Sequence, residues 1–87
     1  MRIKTKENFG RAIKWTGEHE SFEAVVKMLP QLDIDTEGEE GSMEEKLLIP
    51  IHDALWKVHM HEWVVKMDDG DVIIYSNKEF VNKFVIA

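Results

Sequence analysis

The segment 68–71, Asp-Asp-Gly-Asp, is the clearest turn in the chain, and it lies between two runs that are typical of β-strands. Asp-Gly pairs favour tight hairpins because glycine readily adopts the positive φ that such turns require. One strand is predicted from about residue 61 to residue 67, and the returning strand from Val72 to Tyr75. An antiparallel hairpin is therefore predicted here, and the other strands and helices are expected to pair with it or pack on it.

Three further strands are predicted where apolar and polar residues alternate, over residues 11–16, 32–36 and 46–51. In the first of these, Ile13 and Trp15 fall on one face, which is typical of a strand with one side in the core. The third contains a proline, which has no N–H to donate to a neighbouring strand. Pro50 therefore indicates that this strand lies at an edge of the sheet or that the strand ends there.

Two amphipathic helices are predicted between and after the strands. The first runs roughly over residues 18–29, has an apolar stripe at helical spacing and stops at Pro30. The second begins after Ser76, which forms a capping box with Glu79, and carries two phenylalanines four residues apart. These elements predict an α+β fold, a small antiparallel sheet of about four to five strands packed with two helices.

The length of 87 residues predicts a single domain over residues 1–87. Residues 1–10 read as a basic N-terminal segment, and residues 37–45, rich in glycine and glutamate, read as a mobile acidic loop. The chain has no cysteine, which excludes disulfides and thiolate metal sites. The apolar runs are short, so neither a secretory signal nor a membrane-spanning segment is expected.

The net charge of −6 is unevenly distributed along the chain. Residues 1–14 carry five bases and one acid, whereas the stretch between Lys27 and Lys46 carries acids and no base. An acidic surface repels nucleic acid and attracts basic partners, so no direct nucleic-acid binding is expected. The acidic stretch is either a solvated loop or a docking patch that imitates nucleic acid; the patch would consist of Glu37, Glu39, Glu40, Glu44 and Glu45.

Several short motifs follow one another in a fixed order along most of residues 11–84. They are Arg-Ala-Ile-Lys-Trp-Thr-Gly at 11–17, Leu-Ile-Pro at 48–50, Glu-Trp-Val-Val-Lys at 62–66, Gly70, and the pair Phe80 and Phe84. In this order the chain resembles a family of small, uncharacterised phage and prophage proteins with A-[VI]-x-W-T-G, I-P and G-D-W-I-I-K-G-x-x-G motifs. The resemblance implies a protein that acts inside an infected bacterium; it implies no particular activity.

Three of the four histidines, His52, His59 and His61, are candidate metal ligands. His59 and His61 lie two residues apart on a predicted strand and would therefore project from the same face. Imidazole together with a carboxylate suits zinc or manganese. The spacing matches no metalloenzyme motif, and half-buried structural histidines are the alternative.

No catalytic signature is present. The serines fall at turns or helix starts, there is no cysteine nucleophile, and the glycines form no phosphate-binding pattern. A non-enzymatic binding protein without a cofactor is therefore favoured. Aromatic rings on which a base can stack, together with neighbouring cations, suggest a ligand-binding set of Arg11, Lys14, Trp15, Thr16, Trp63 and Lys66. The alternative is that both tryptophans belong to the core.

Three hypotheses for function follow. The first is a protein in the cytoplasm of the infected host that sequesters a small nucleotide signal of bacterial immunity, in a pocket shared between the subunits of a homo-oligomer. The second is an acidic inhibitor that docks on a host defence nuclease. The third is a metal-dependent hydrolase built on the histidines.

Overall fold

The computed structural model describes residues 1–5 and 7–87, so Lys6, within the expected basic segment 1–10, lies outside the described residues. The described part forms eight strands and two helices. In chain order they are β1 (Arg2–Lys4), β2 (Phe9–Lys14), α1 (His19–Met28), β3 (Asp35–Glu37), β4 (Lys46–Ile51), β5 (Ala54–Val58), β6 (Trp63–Met67), β7 (Val72–Tyr75), α2 (Asn77–Lys83) and β8 (Val85–Ile86).

The strands form two antiparallel sheets. One has five strands in the order β7-β6-β2-β1-β8, and the other has three in the order β3-β4-β5. The predicted α+β fold with antiparallel strands and two helices is confirmed, but the strands are divided between two sheets. The second sheet exists because His52 and Asp53 adopt φ of 48° and 64°, which closes a two-residue hairpin between β4 and β5.

Strand β6, which lies between β7 and β2, is buried on both of its faces. Val64 contributes to a core formed with α1 and the three-stranded sheet, whereas Val65 contributes to a core beneath α2. The same holds for β2, where Ala12, on the face opposite Ile13, is 1% exposed. The five-stranded sheet is therefore the middle layer of the molecule, and polar side chains of its strands reach solvent only where neither helix nor the second sheet covers them, as Arg2, Lys4 and Arg11 do.

The helices begin and end close to the predicted positions. The capping box of α2 is present, since Ser76 Oγ accepts from the Glu79 amide at 3.2 Å and Glu79 Oε1 accepts from the Ser76 amide at 3.1 Å. The first helix ends at Met28, shortly before Pro30. In the described part of the chain, no helix is long and apolar enough to cross a membrane.

Candidate functional site

Three cations lie side by side on one face of the five-stranded sheet. Arg2 of β1 pairs directly with Arg11 of β2, and Arg11 pairs directly with Lys66 of β6. Residues directly opposite in an antiparallel ladder project from the same face, so the three side chains form a row across three strands. We refer to Arg2, Arg11 and Lys66 as the cationic row.

The last turn of α1 borders the cationic row and contributes a fourth cation, Lys27. Together they line a cleft of about 370 Å³ whose apolar wall is formed by Met28, Pro30 and Met67. Lys66 Nζ donates to the backbone carbonyl of Met28 at 3.3 Å, which places it at the negative end of the helix dipole. The cleft thus has a positive sheet side and a partly apolar helix side.

One carboxylate, Asp68, also lines this cleft. Its two oxygens accept from the guanidinium of Arg2 at 2.8 and 3.1 Å, and this hydrogen bonding lowers the pKa of the Asp68 carboxyl below its ordinary value of 3.8. Asp68 therefore compensates Arg2. Among residues 1–5 and 7–87, Arg11 and Lys27 have no ion pair with a carboxylate.

The cationic row is unfavourable for the isolated fold. Like charges placed directly opposite each other on a sheet destabilise it by roughly 0.2–1 kcal/mol for each pair. A bound anion removes this repulsion, and a guanidinium can hold a phosphate through two parallel hydrogen bonds. The arrangement is chemically suited to binding an anion.

Two of the predicted ligand residues, Arg11 and Lys66, are brought together in the cleft. Lys14 and Trp63 are brought together elsewhere, as direct partners on the opposite face of the sheet, with Lys14 Nζ 5.9 Å from the Trp63 ring centroid. Phe80 stacks on the Trp63 ring at 3.9 Å, so only part of that indole is accessible. The predicted set is therefore divided between two faces.

The remaining two predicted residues do not line the cleft. Trp15 is 1% exposed, and its Nε1–H donates to the carbonyl of Glu45 at 3.0 Å, so its ring offers no surface for a base. This placement corresponds to the alternative in which Trp15 belongs to the core. Thr16 lies just before α1, where its hydroxyl donates to Ser21 Oγ at 3.1 Å.

Sequence reasoning missed Arg2 and Lys27. The excess of bases in residues 1–14 was visible, but three residues are too few for β1 to show an alternating pattern, and Arg2 could not be assigned to a face. Lys27 resembles any basic residue in the last turn of a helix.

The predicted acidic patch is not uniform. Glu37 belongs to β3 and pairs with Lys57 at 3.0 Å, and the hydrogen bond from Lys57 lowers the pKa of the Glu37 carboxyl below its ordinary value of 4.5. Glu45 is only 6% exposed, so its assignment to an exposed patch was wrong. The exposed acids of the loop are Glu39, Glu40 and Glu44.

The prediction that His59 and His61 share a strand face was wrong, because both precede β6. His59 lies in a turn closed by Glu62, whose Oε1 accepts from the His59 amide at 2.7 Å, and His61 has φ of 71°. His52 lies in the β4–β5 turn. Within the described residues, no group of three or more histidine, aspartate or glutamate side chains could hold a metal ion.

The cleft thus brings two residues predicted to bind a ligand, Arg11 and Lys66, together with two further cations, Arg2 and Lys27. Its geometry is a positive row against an apolar helix end, open to solvent on one side. Comparison with protein-family models, with curated protein sequences and with solved structures gives no match for this chain.

Proposed function

We propose that this chain is a non-enzymatic binding protein that holds a small phosphorylated ligand, a nucleotide, in the cleft bordered by the cationic row. The observation that carries the proposal is the direct pairing of Arg11 with Lys66, beside Lys27. Phosphate oxygens accept hydrogen bonds from guanidinium and ammonium groups, and these bonds are strong because both partners are charged.

The size of the cleft favours a small ligand. Its volume of about 370 Å³ lies at the lower end of the range for small-molecule sites, roughly 300–1,000 Å³. A long nucleic acid would also meet the acidic remainder of a chain whose net charge is −6, and that charge opposes its approach.

The surroundings of the cleft suit the non-phosphate part of a nucleotide. Pro30 lines the cleft at an exposed position and offers apolar surface for a sugar or a base. Phe9 is 47% exposed, and the guanidinium carbon of Arg2 lies 5.5 Å from its ring centroid. Phe9 can therefore provide a ring on which a base stacks, the role that Trp15 cannot fill.

The resemblance to small phage proteins suggests what such binding would achieve. A protein that holds a nucleotide signal of bacterial immunity in the host cytoplasm would keep that signal from its receptor, without any chemical reaction. A second subunit of a homo-oligomer would cover the open side of the cleft. Light scattering of the purified protein, with and without ligand, tests the oligomer.

The proposed function is tested by ligand-dependent thermal stability. A ligand that binds only the folded chain stabilises it by about 2.7 kcal/mol at a hundredfold excess over Kd. The probes are cyclic dinucleotides, cyclic trinucleotides, ADP-ribose and pyrophosphate, followed by calorimetric titration of any that raises Tm. At least one nucleotide is expected to raise Tm and to bind more tightly than pyrophosphate.

Matched variants locate the binding. Arg11→Gln and Lys27→Gln each remove a cation from the cleft and are expected to weaken nucleotide binding by about tenfold or more. Lys78→Gln removes the same charge from an exposed position of α2 outside the cleft and is expected to bind normally. Unchanged affinity in Arg11→Gln, or no stabilisation by any probe, would refute the proposal.

The acidic inhibitor is the second candidate, and the exposure of Glu39, Glu40 and Glu44 favours it. These acids have no ion pair among the described residues, so they are free to meet a basic groove on a host protein. Charge reversal at the three positions separates the candidates. Loss of anti-defence activity with intact nucleotide binding would favour the inhibitor.

A further inference from the structure

A second cavity, of about 450 Å³, lies between the start of α1 and the loop that joins β3 to β4. Its acidic side is formed by Glu18, Glu40 and Glu45, and its aromatic side by Trp15 and Phe22. It shares no lining residue with the cationic cleft. We refer to it as the acidic cavity.

Glu45 is the unusual residue of the acidic cavity. Its side chain is 6% exposed, and Oε1 is buried with no hydrogen-bond partner in residues 1–5 and 7–87. The oxygen lies beside Gly17, at 3.8 Å from the position that a Cβ on this glycine would take, and Gly17 also lines the cavity. A buried carboxylate oxygen without a partner is costly, because it has lost its hydrogen bonds to water and gained none in the protein.

The backbone of Glu45 is fixed in this position. Its carbonyl accepts from Trp15 Nε1 at 3.0 Å, and the tryptophan is itself buried in the core. The backbone of Glu45 therefore cannot move outwards without breaking a buried hydrogen bond. From this fixed backbone the side chain lines the wall of the cavity.

The charge of the cavity identifies the class of ligand. In the described part of the chain three carboxylates line it and no lysine or arginine does, and His19, also in the wall, pairs with Glu23 at 3.0 Å. The histidine, aspartate and glutamate side chains described form no group that could hold a metal ion. A positively charged organic group meets both the carboxylates and the aromatic side.

We propose that the acidic cavity binds a guanidinium group, with Glu45 as its carboxylate anchor. Guanidinium is planar, is more weakly hydrated than ammonium, and stacks on aromatic rings such as that of Phe22. It would supply the counter-charge that Glu45 lacks. The guanidinium comes either from an arginine side chain of a partner protein or from a free guanidine compound.

The hydrogen bond between Trp15 and Glu45 provides a local reporter, because the indole N–H gives a separate NMR signal. The test titrates the full chain with the blocked tripeptide acetyl-Gly-Arg-Gly-amide, with agmatine, and with the tripeptide in which neutral citrulline replaces arginine. The arginine peptide is expected to shift the Trp15 indole signal saturably, and the citrulline peptide is expected to leave it in place. Tighter binding of the peptide than of agmatine assigns the site to a partner protein, and the reverse assigns it to a free compound.

Two neighbouring variants provide matched controls. Glu45→Gln keeps the shape of the side chain and is expected to weaken binding by at least about tenfold. Glu44→Gln removes the same charge at the adjacent exposed position and is expected to bind as the unchanged chain does. Glu18→Gln, at the exposed N-cap of α1, serves as a second cavity variant and is expected to weaken binding by a smaller factor.

The proposal is overturned if the arginine and citrulline peptides act alike on the unchanged chain, a comparison that depends on no variant. It is also overturned if folded Glu45→Gln binds the arginine peptide as tightly as Glu44→Gln does. Nucleotide binding in the cationic cleft is measured on the same samples. Because the two sites share no lining residue, the proposal for one site can be refuted while the proposal for the other is retained.

Discussion

The indole N–H of Trp15 donates to the backbone carbonyl of Glu45 at 3.0 Å and ties the end of β2 to the start of β4. The residue that follows β2 of the five-stranded sheet is thereby bonded to the residue that precedes β4 of the three-stranded sheet. Both groups are buried, so neither can exchange the bond for one to water.

Replacing Trp15 with phenylalanine is expected to lower the free energy of unfolding by about 2–4 kcal/mol, because it leaves a cavity and an unpaired carbonyl. Urea denaturation followed by circular dichroism measures the change. Trp56→Phe is the matched control, since Trp56 is 50% exposed and its replacement is expected to change stability by less than about 0.5 kcal/mol. Equal effects of the two substitutions would contradict the role of the buried bond.

The cationic row predicts a gain in stability when its middle member is removed. Arg11→Thr is expected to raise the free energy of unfolding by about 0.2–1 kcal/mol at low ionic strength, because it relieves repulsion from both neighbours. The gain should shrink at high salt, where repulsion is screened. Lys4→Thr makes a similar change at a strand position opposite Phe9, where no cation is paired, and should show no such salt-dependent gain.

Removal of the negative charge of Asp68 is expected to increase the affinity of the cleft for its ligand. Because its carboxylate compensates Arg2 at the edge of the cleft, Asp68→Asn is expected to tighten nucleotide binding by about three- to tenfold. Asp69→Asn removes the same charge one residue further into the turn, outside the cleft lining, and is expected to have a smaller effect. Calorimetric titration compares the two. Weaker binding in Asp68→Asn would mean that the ion pair positions Arg2 rather than neutralising it.

Local signals explain which parts of the fold could be predicted. The turn at 68–71 contains a glycine with φ of 99°, and the capping box of α2 is complete within four residues. Each of these features therefore depends on only a few consecutive residues. The strands β1 and β8 have three and two residues, and each depends on a partner distant in the chain. A periodic pattern cannot show elements this short.

The cationic row was not predictable for a related reason. Arg11 and Lys66 were both candidate ligand residues, but the sequence of neither strand shows that they are neighbours, whereas the pairing of β2 with β6 places them side by side. A shift of this register by one residue would move Lys66 to the opposite face. The alternation of residues within one strand shows on which face each side chain lies. Which residues lie beside it on the adjacent strands depends on the register between the strands.

Because Ser76 forms the capping box of α2, its side chain is expected to contribute measurably to the free energy of unfolding. Ser76→Ala removes the oxygen that accepts from the Glu79 amide and is expected to lower the free energy of unfolding by about 1 kcal/mol. Ser76→Asp keeps an accepting oxygen at the same position and is expected to restore most of the loss. Denaturation of the three proteins under one condition makes the comparison, and a fully destabilised Ser76→Asp would argue against capping as the cause.

Acidic pH is expected to destabilise the chain through three carboxyls whose pKa is lowered by the fold. Lys57 donates to Glu37, Arg2 donates to Asp68, and the Ser76 amide donates to Glu79, and each bond favours the charged carboxylate. Since the folded pKa values lie below the ordinary values of 4.5 for glutamate and 3.8 for aspartate, the unfolded chain binds protons first as the pH falls. The stabilisation is therefore complete above these values and is lost as the pH drops through the folded ones.

The triple variant Glu37→Gln, Asp68→Asn and Glu79→Gln tests this pH dependence. Because its side chains do not titrate, Tm should fall less steeply below pH 4.5 than in the unchanged chain, although the variant is less stable at neutral pH. Thermal unfolding from neutral to strongly acidic pH gives both curves. A control in which the exposed acids Glu39 and Glu44 are changed to glutamine should keep the steep fall. Parallel curves for the triple variant and the unchanged chain would show that other carboxyls cause the acid sensitivity.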